Sequence, residues 1–250
     1  MANDYNRAVR ARGESAAGYY DAGLRSYMLR VYNYMIVGLG LTGVTAWIVA
    51  NVAPVQALFY TVHQTANGYT YGLSMLGWVA LIAPIGLVML LSFRINRMSL
   101  GAAQLAFWGY ASLVGISLAP ILLLYTGASV AEVFFITAAT FGAMSLYGYT
   151  TGRDLTGFGS FLFMGLIGII LAMVVNIFLH SAAIQFAISV VGVLIFTGLT
   201  AYDTQAIKET YSANLDGSLQ KRAAIMGALR LYLDFINLFI MLMQLMGQRR

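Results

Sequence analysis

Seven apolar stretches, each long enough to cross a hydrocarbon layer, constrain this chain more than any other feature of its sequence. At 1.5 Å rise per residue, a crossing helix needs about 20 apolar residues. That ruler places spans at roughly Val31–Asn51, Leu73–Phe93, Gly101–Tyr125, Val130–Thr150, Phe158–Leu179, Ile184–Ile207 and Ala223–Met246. Connections are short except for the uncharged stretch Val52 to Gly72. With 60% of 250 residues hydrophobic and 9% charged, there is too little charge to cover a water-soluble core. The fold class expected is therefore an all-α membrane protein, a seven-transmembrane-helix bundle in one domain (31–250) behind a basic N-terminal segment (1–30).

Composition also removes several chemistries. The chain has no cysteine, which excludes disulfides, thiolate zinc sites and thiol nucleophiles. Its two histidines, His63 and His180, lie far apart, and no cofactor is expected. The net charge of +5 does not form one patch, so nucleic acid is not an expected partner. The bases instead punctuate the apolar runs: none occurs between Arg30 and Arg94, between Arg97 and Arg153, or between Arg153 and Lys208. Basic positions thus precede span one and follow spans two, four and six, which puts the N-terminus in the cytoplasm. The late, long first span reads as a signal anchor and not as a cleaved signal peptide. Arg249 and Arg250 fall on the external side in this scheme, which leaves open a last helix that re-enters instead of crossing. Glycines inside the spans, such as Gly38/Gly40, Gly165/Gly168 and Gly192/Gly198, mark expected packing faces. Pro84 and Pro120 are candidate kinks.

Charge in the middle of an apolar span is the informative exception, because a central Asp or Arg costs on the order of 3 kcal/mol on insertion scales. Asp203 stands toward the end of span six, and Arg230 and Asp234 stand within span seven. Arg230, Asp234, Asn237, Met241 and Gln244 step by four, three, four and three, so they share one stripe of a helix. That stripe should face the bundle interior. Asp203 shares a face with Thr200, Phe196, Gly192 and Ser189, and a short loop makes spans six and seven antiparallel neighbours. Two buried carboxylates facing one another is one reading of this spacing. A structural Arg230–Asp234 pair one turn apart, with Asp203 solvated near Lys208, is the other.

Longer motifs carry a resemblance. Phe196-Thr-Gly-Leu-Thr-Ala-Tyr-Asp203-Thr-Gln-Ala-Ile-Lys208 and Leu231-Tyr-Leu-Asp234-Phe-Ile-Asn-Leu-Phe239 resemble two motifs of the Bax inhibitor family of membrane proteins. Gly115-Ile-Ser-Leu-Ala-Pro120 and Val133-Phe-Phe-Ile-Thr-Ala-Ala-Thr-Phe-Gly142 do so too, in the same order and spacing. The resemblance implies a bacterial inner-membrane protein with six helices around a central last one, acting as a pH-sensitive calcium leak. It assigns Asp203 and Asp234 to the pH sensor and gate and to a calcium-binding position. Arg97, Arg94 and Arg230 become candidate latch or charge partners, and Asn237, Gln244 and Thr200 candidate pore-facing polar residues. The implied partners are the bilayer and calcium ions. Some bacterial relatives are also reported to restrain a membrane-anchored quality-control protease, which makes a non-conducting regulator one alternative. A proton-coupled transporter is a second, although no inverted repeat of broken helices is visible. Paired aspartates also serve intramembrane aspartyl proteases. Here the second aspartate sits in Leu231-Tyr-Leu-Asp234, where those enzymes need Gly-x-Gly-Asp, and their Pro-Ala-Leu segment is missing. No enzyme activity is expected.

Overall fold

The computed structural model describes residues 2–65, 68–212 and 216–250. Its elements are α1 (Ala2–Asn51), α2 (Ala53–Phe59), β1 (Tyr60–Thr65), β2 (Gly68–Leu73), α3 (Met75–Arg94), a 3-10 turn (Ile95–Arg97), α4 (Leu100–Leu124), α5 (Gly127–Thr150), α6 (Thr156–Leu179), α7 (Ala182–Thr210) and α8 (Gly217–Met246). Seven of these helices are long and apolar enough to cross a membrane. They match the seven expected spans to within a few residues, except that the first and last extend further at their N-terminal ends. The polar N-terminal segment is not separate from span one, because α1 is a single helix of 50 residues.

Short polar side chains set where the helices begin. Ser74, Ser99, Thr126 and Ser181 each accept a hydrogen bond from the backbone N–H three residues on, which satisfies one of the free donors of a first turn. At the other end of α6, His180 takes a left-handed conformation (φ 49°, ψ 33°) and turns the chain directly into α7. Histidine is among the few side chains enriched in that region. α3 and α4 run through Pro84 and Pro120 without a break.

α8 lies at the centre. It packs against α1, α4, α5 and α7, whereas α3 packs on α4, and α6 on α7, in an outer row. Its whole length is one uninterrupted helix of 30 residues, about 45 Å. The residues after it pair with the α4–α5 connection: Arg250 N–H donates to Leu124 O (3.0 Å), and Thr126 N–H to Gln248 O (3.0 Å). The α7–α8 connection lies at the opposite end, where Arg222 Nη1 donates to Met98 O (3.3 Å). The last helix therefore runs the full length of the bundle.

Glycine packing is more selective than the sequence suggests. A Cβ on Gly38 would meet Phe107, one on Gly165 would meet Ile195, one on Gly192 would meet Met241, and one on Gly198 would meet Leu162. Those four are interface positions, as expected. Gly40 and Gly168 face open space. The uncharged stretch after span one also hides structure: β1 and β2 form an antiparallel hairpin with Tyr60 opposite Leu73. It is anchored by the Tyr60 hydroxyl on Ile116 O (2.6 Å) and by Ser74 Oγ on Leu58 O (2.5 Å).

Candidate functional site

Of the stripe on α8, Asp234 and Met241 are buried, Asn237 is half-buried, and Arg230 and Gln244 are exposed, so the stripe is not the fully inward face expected of it; α7 brings Asp203 to it. Asp203 and Asp234 are within side-chain hydrogen-bonding reach of each other across the α7–α8 interface. Asp234 is buried, at 4% exposure, and its Oδ2 has no hydrogen-bond partner among the described residues. Two neighbouring carboxyl groups repel one another when both are ionised. Arg230, one turn before Asp234, is exposed, and its charge acts on both carboxyl groups.

The pair lies on the wall of a cavity of about 680 Å3 between α6, α7 and α8. Besides Asp203, Arg230 and Asp234, its wall includes Tyr202, Asn237 and Met241, with Ser160 and Met173 on the α6 side. Asn237 is on this wall, its amide donating to Leu233 O (2.9 Å). Tyr202 reaches its place because Gly159 leaves room: a Cβ there would meet the Tyr202 ring at 2.4 Å.

Other expected residues lie elsewhere. Thr200 is fully buried but is not on the cavity wall, and its hydroxyl donates to Phe196 O (2.8 Å). Gln244 belongs to a separate polar cluster at the far end of the helices. Its Oε1 accepts from Gln185 Nε2 (2.7 Å) and from Ser189 Oγ (2.7 Å), and Gln185 in turn accepts from Asn176 Nδ2 (3.2 Å). Arg94 and Arg97 are exposed at the end of α3, which packs on α4, and neither lines the carboxyl cavity. The base that ties this end of α3 to α8 is Arg222, whose sequence position in a polar loop gave no sign of it. Sequence reasoning also missed a chain of hydroxyls in which Tyr32 and Ser145 bond at 2.6 Å, and Ser145 and Thr204 at 2.9 Å. It joins α1, α5 and α7 on the side of α7 away from the cavity.

As a metal centre the pair is sparse. Among the described residues, no group of three or more His, Cys, Asp or Glu side chains comes together. Two carboxylates supply at most four oxygens, against the roughly six to eight that calcium takes. A resident calcium would need its remaining ligands from water.

Comparison with known proteins agrees with the motifs. The family model described as "Inhibitor of apoptosis-promoting Bax1" matches residues 24–250. The inner membrane protein YbhL of Escherichia coli is 48% identical over 231 residues, covering 92% of this chain and 94% of its own. Protein RP147 of Rickettsia prowazekii is 45% identical over 247 residues, 99% of each chain. A Caulobacter vibrioides protein is also 45% identical, over 99% of each.

Proposed function

The chain belongs to the Bax inhibitor family as a multi-pass inner-membrane protein, and from that premise we propose that it is a pH-sensitive calcium leak channel gated by the Asp203–Asp234 pair. The observation that carries this reading is the carboxyl pair that joins the central helix to α7 beside a cavity. With one proton shared, the pair is a hydrogen bond holding α7 against α8. Without it, two negative charges face each other, and at 4 Å and an effective dielectric constant near 20 they repel by about 4 kcal/mol. The cavity on the α6 side gives the helices room to part. The ionised pair then presents oxygens to a hard cation, so protons and calcium compete for one place. An incomplete ligand set suits an ion in passage, since binding must be weak enough to release.

In this reading the N-terminus is cytoplasmic, with the basic end of the bundle on that side. The test is calcium entry into liposomes carrying the purified protein and an indicator dye, read across mildly acidic to mildly alkaline pH. Flux should rise as the pair loses its proton, and Asp203→Asn and Asp234→Asn should each flatten that rise. Absence of flux at every pH, from protein shown to be folded, would overturn the channel reading.

A further inference from the structure

A second cavity lies on the opposite side of α8. α1 and α5 flank a groove of about 1090 Å3 whose floor includes Phe141 and Phe235. On α1 its lining runs from Arg25 to Val44, about 28 Å along the axis, close to the depth of a hydrocarbon core. The walls are largely apolar, and among the described residues no carboxylate lines the groove. Three of its glycines have no packing role: a Cβ on Gly40, Gly43 or Gly142 would meet nothing within 4 Å. Gly38, Gly148, Gly165 and Gly198 bring helices together, whereas these three line open space in the groove.

The groove is chemically asymmetric along its length. Its ionisable cation, Arg25, stands at the end shared with Tyr149, and Arg25 and Arg30 line an adjoining depression. Behind Tyr149, at the same end but not on the groove wall, stands Lys208, with Nζ donating to Tyr149 O (2.9 Å) and lying 5.4 Å from the Tyr149 ring centroid. The opposite end, at Gly43, Val44 and Phe134, is apolar. We propose that this groove is a binding site for an anionic phospholipid, with acyl chain along α1 and α5 and headgroup phosphate at the basic end marked by Arg25, with Lys208 behind Tyr149 adding to the positive field there. Charge complementarity selects this occupant. A transmembrane helix of a partner would have no need of bases confined to one end, whereas a lipid has that polarity built in.

The test uses delipidated, detergent-purified protein with phosphatidylglycerol or phosphatidylcholine of identical acyl chains, and glycerol phosphate as a headgroup without chains. Retained lipid is counted by native mass spectrometry, and thermal stabilisation is followed in parallel. The expected result is a preference on the order of tenfold for phosphatidylglycerol, with saturable stabilisation and no effect of glycerol phosphate. Arg25→Gln combined with Lys208→Gln should abolish the preference while chains still bind. Gly142→Leu, which enters open space, should displace both lipids, and Ala138→Leu on the same wall gives a second variant should the first fail to fold. Equal retention of the two lipids by the wild type would overturn the proposal, as would unchanged retention in both groove-filling variants. Saturation by glycerol phosphate alone would reassign the bases to a soluble anion. No headgroup preference in either wild type or the basic double variant would point to a partner's helix and equally sink the lipid site.

Discussion

α6 and α8 are both uninterrupted membrane-crossing helices, yet they occupy opposite places. In α6 only 11% of the most apolar window is buried inside the protein; in α8 the figure is 67%. α6 is the more uniformly apolar of the two and lies at the edge, while α8 carries Arg230, Asp234, Asn237 and Gln244 and lies at the centre. A water-soluble protein would arrange them the other way round. Lipid is as apolar as a leucine side chain, so nothing drives a uniformly apolar helix inward. Polar groups are costly in hydrocarbon, so the helix that carries them is surrounded by others.

The largest expected effect that sharpens this contrast is in side-chain truncation. Tyr232 of α8 is fully buried, its hydroxyl 2.6 Å from Thr42 Oγ1, with Phe107 and Tyr110 edge-on at 5.9 and 5.7 Å. Tyr232→Ala should cost about 3 kcal/mol or more. Phe178 of α6 is 79% exposed to the surroundings, and Phe178→Ala should fall within about 0.5 kcal/mol of the wild type. Reversible unfolding in bicelles measures both, and equal costs would break the comparison.

Glycine substitutions come next. A Cβ on Gly148 would lie 2.1 Å from Ala201 O, between α5 and α7, whereas one on Gly168 of α6 would meet nothing within 4 Å. Gly148→Ala should destabilise by about 1–3 kcal/mol. Gly168→Ala should be neutral or slightly stabilising, since alanine is the better helix former. The same unfolding assay distinguishes them.

The smallest expected effect is where the two helices agree, at their starts. Asp154 accepts from Thr156 N–H (2.8 Å) just before α6, and Asp216 accepts from Ser218 N–H (3.2 Å) as α8 begins. These hydrogen bonds hold both carboxyl groups below the ordinary carboxylate value. Each therefore contributes stability at neutral pH that is lost as pH falls through its lowered value. Asp154→Ala and Asp216→Ala should each be slightly less stable than the wild type at neutrality and converge with it well below about pH 4. A gap that persisted in acid would show that the caps do not act through ionisation.

Much of this contrast was legible in the sequence. The 20-residue ruler located the spans because lipid imposes one length on all of them. The four–three spacing from Arg230 to Gln244 marked one polar stripe on the last helix, while the central place of that helix came from the family resemblance; the stripe's ends, Arg230 and Gln244, are exposed. What remained hidden depends on neighbours. Thr200 shares a helical face with Asp203, yet its hydroxyl bonds back to Phe196 O in its own helix. Gln244 continues the stripe but meets Gln185 and Ser189 instead of the carboxyl cavity. The hairpin lies in a mixed stretch of Thr, Val, Gln and Tyr residues that a search for apolar runs passes over. No sequence period separates Gly38, which touches Phe107, from Gly40, which touches nothing.

The central claim is that Asp203 and Asp234 act as one titrating unit at the interface of α7 and α8. The most direct test is a double-mutant cycle on the pH dependence of calcium flux, with Asp203→Asn, Asp234→Asn and the two combined. Asparagine keeps the shape and hydrogen-bonding capacity of each side chain but cannot ionise. If the pair shares one proton, each single variant flattens the profile and the double variant is little flatter than either, because a coupled pair is non-additive. Independent, additive effects would contradict the shared proton. So would a normal profile in Asp203→Asn alongside an Arg230→Gln variant as impaired as Asp234→Asn.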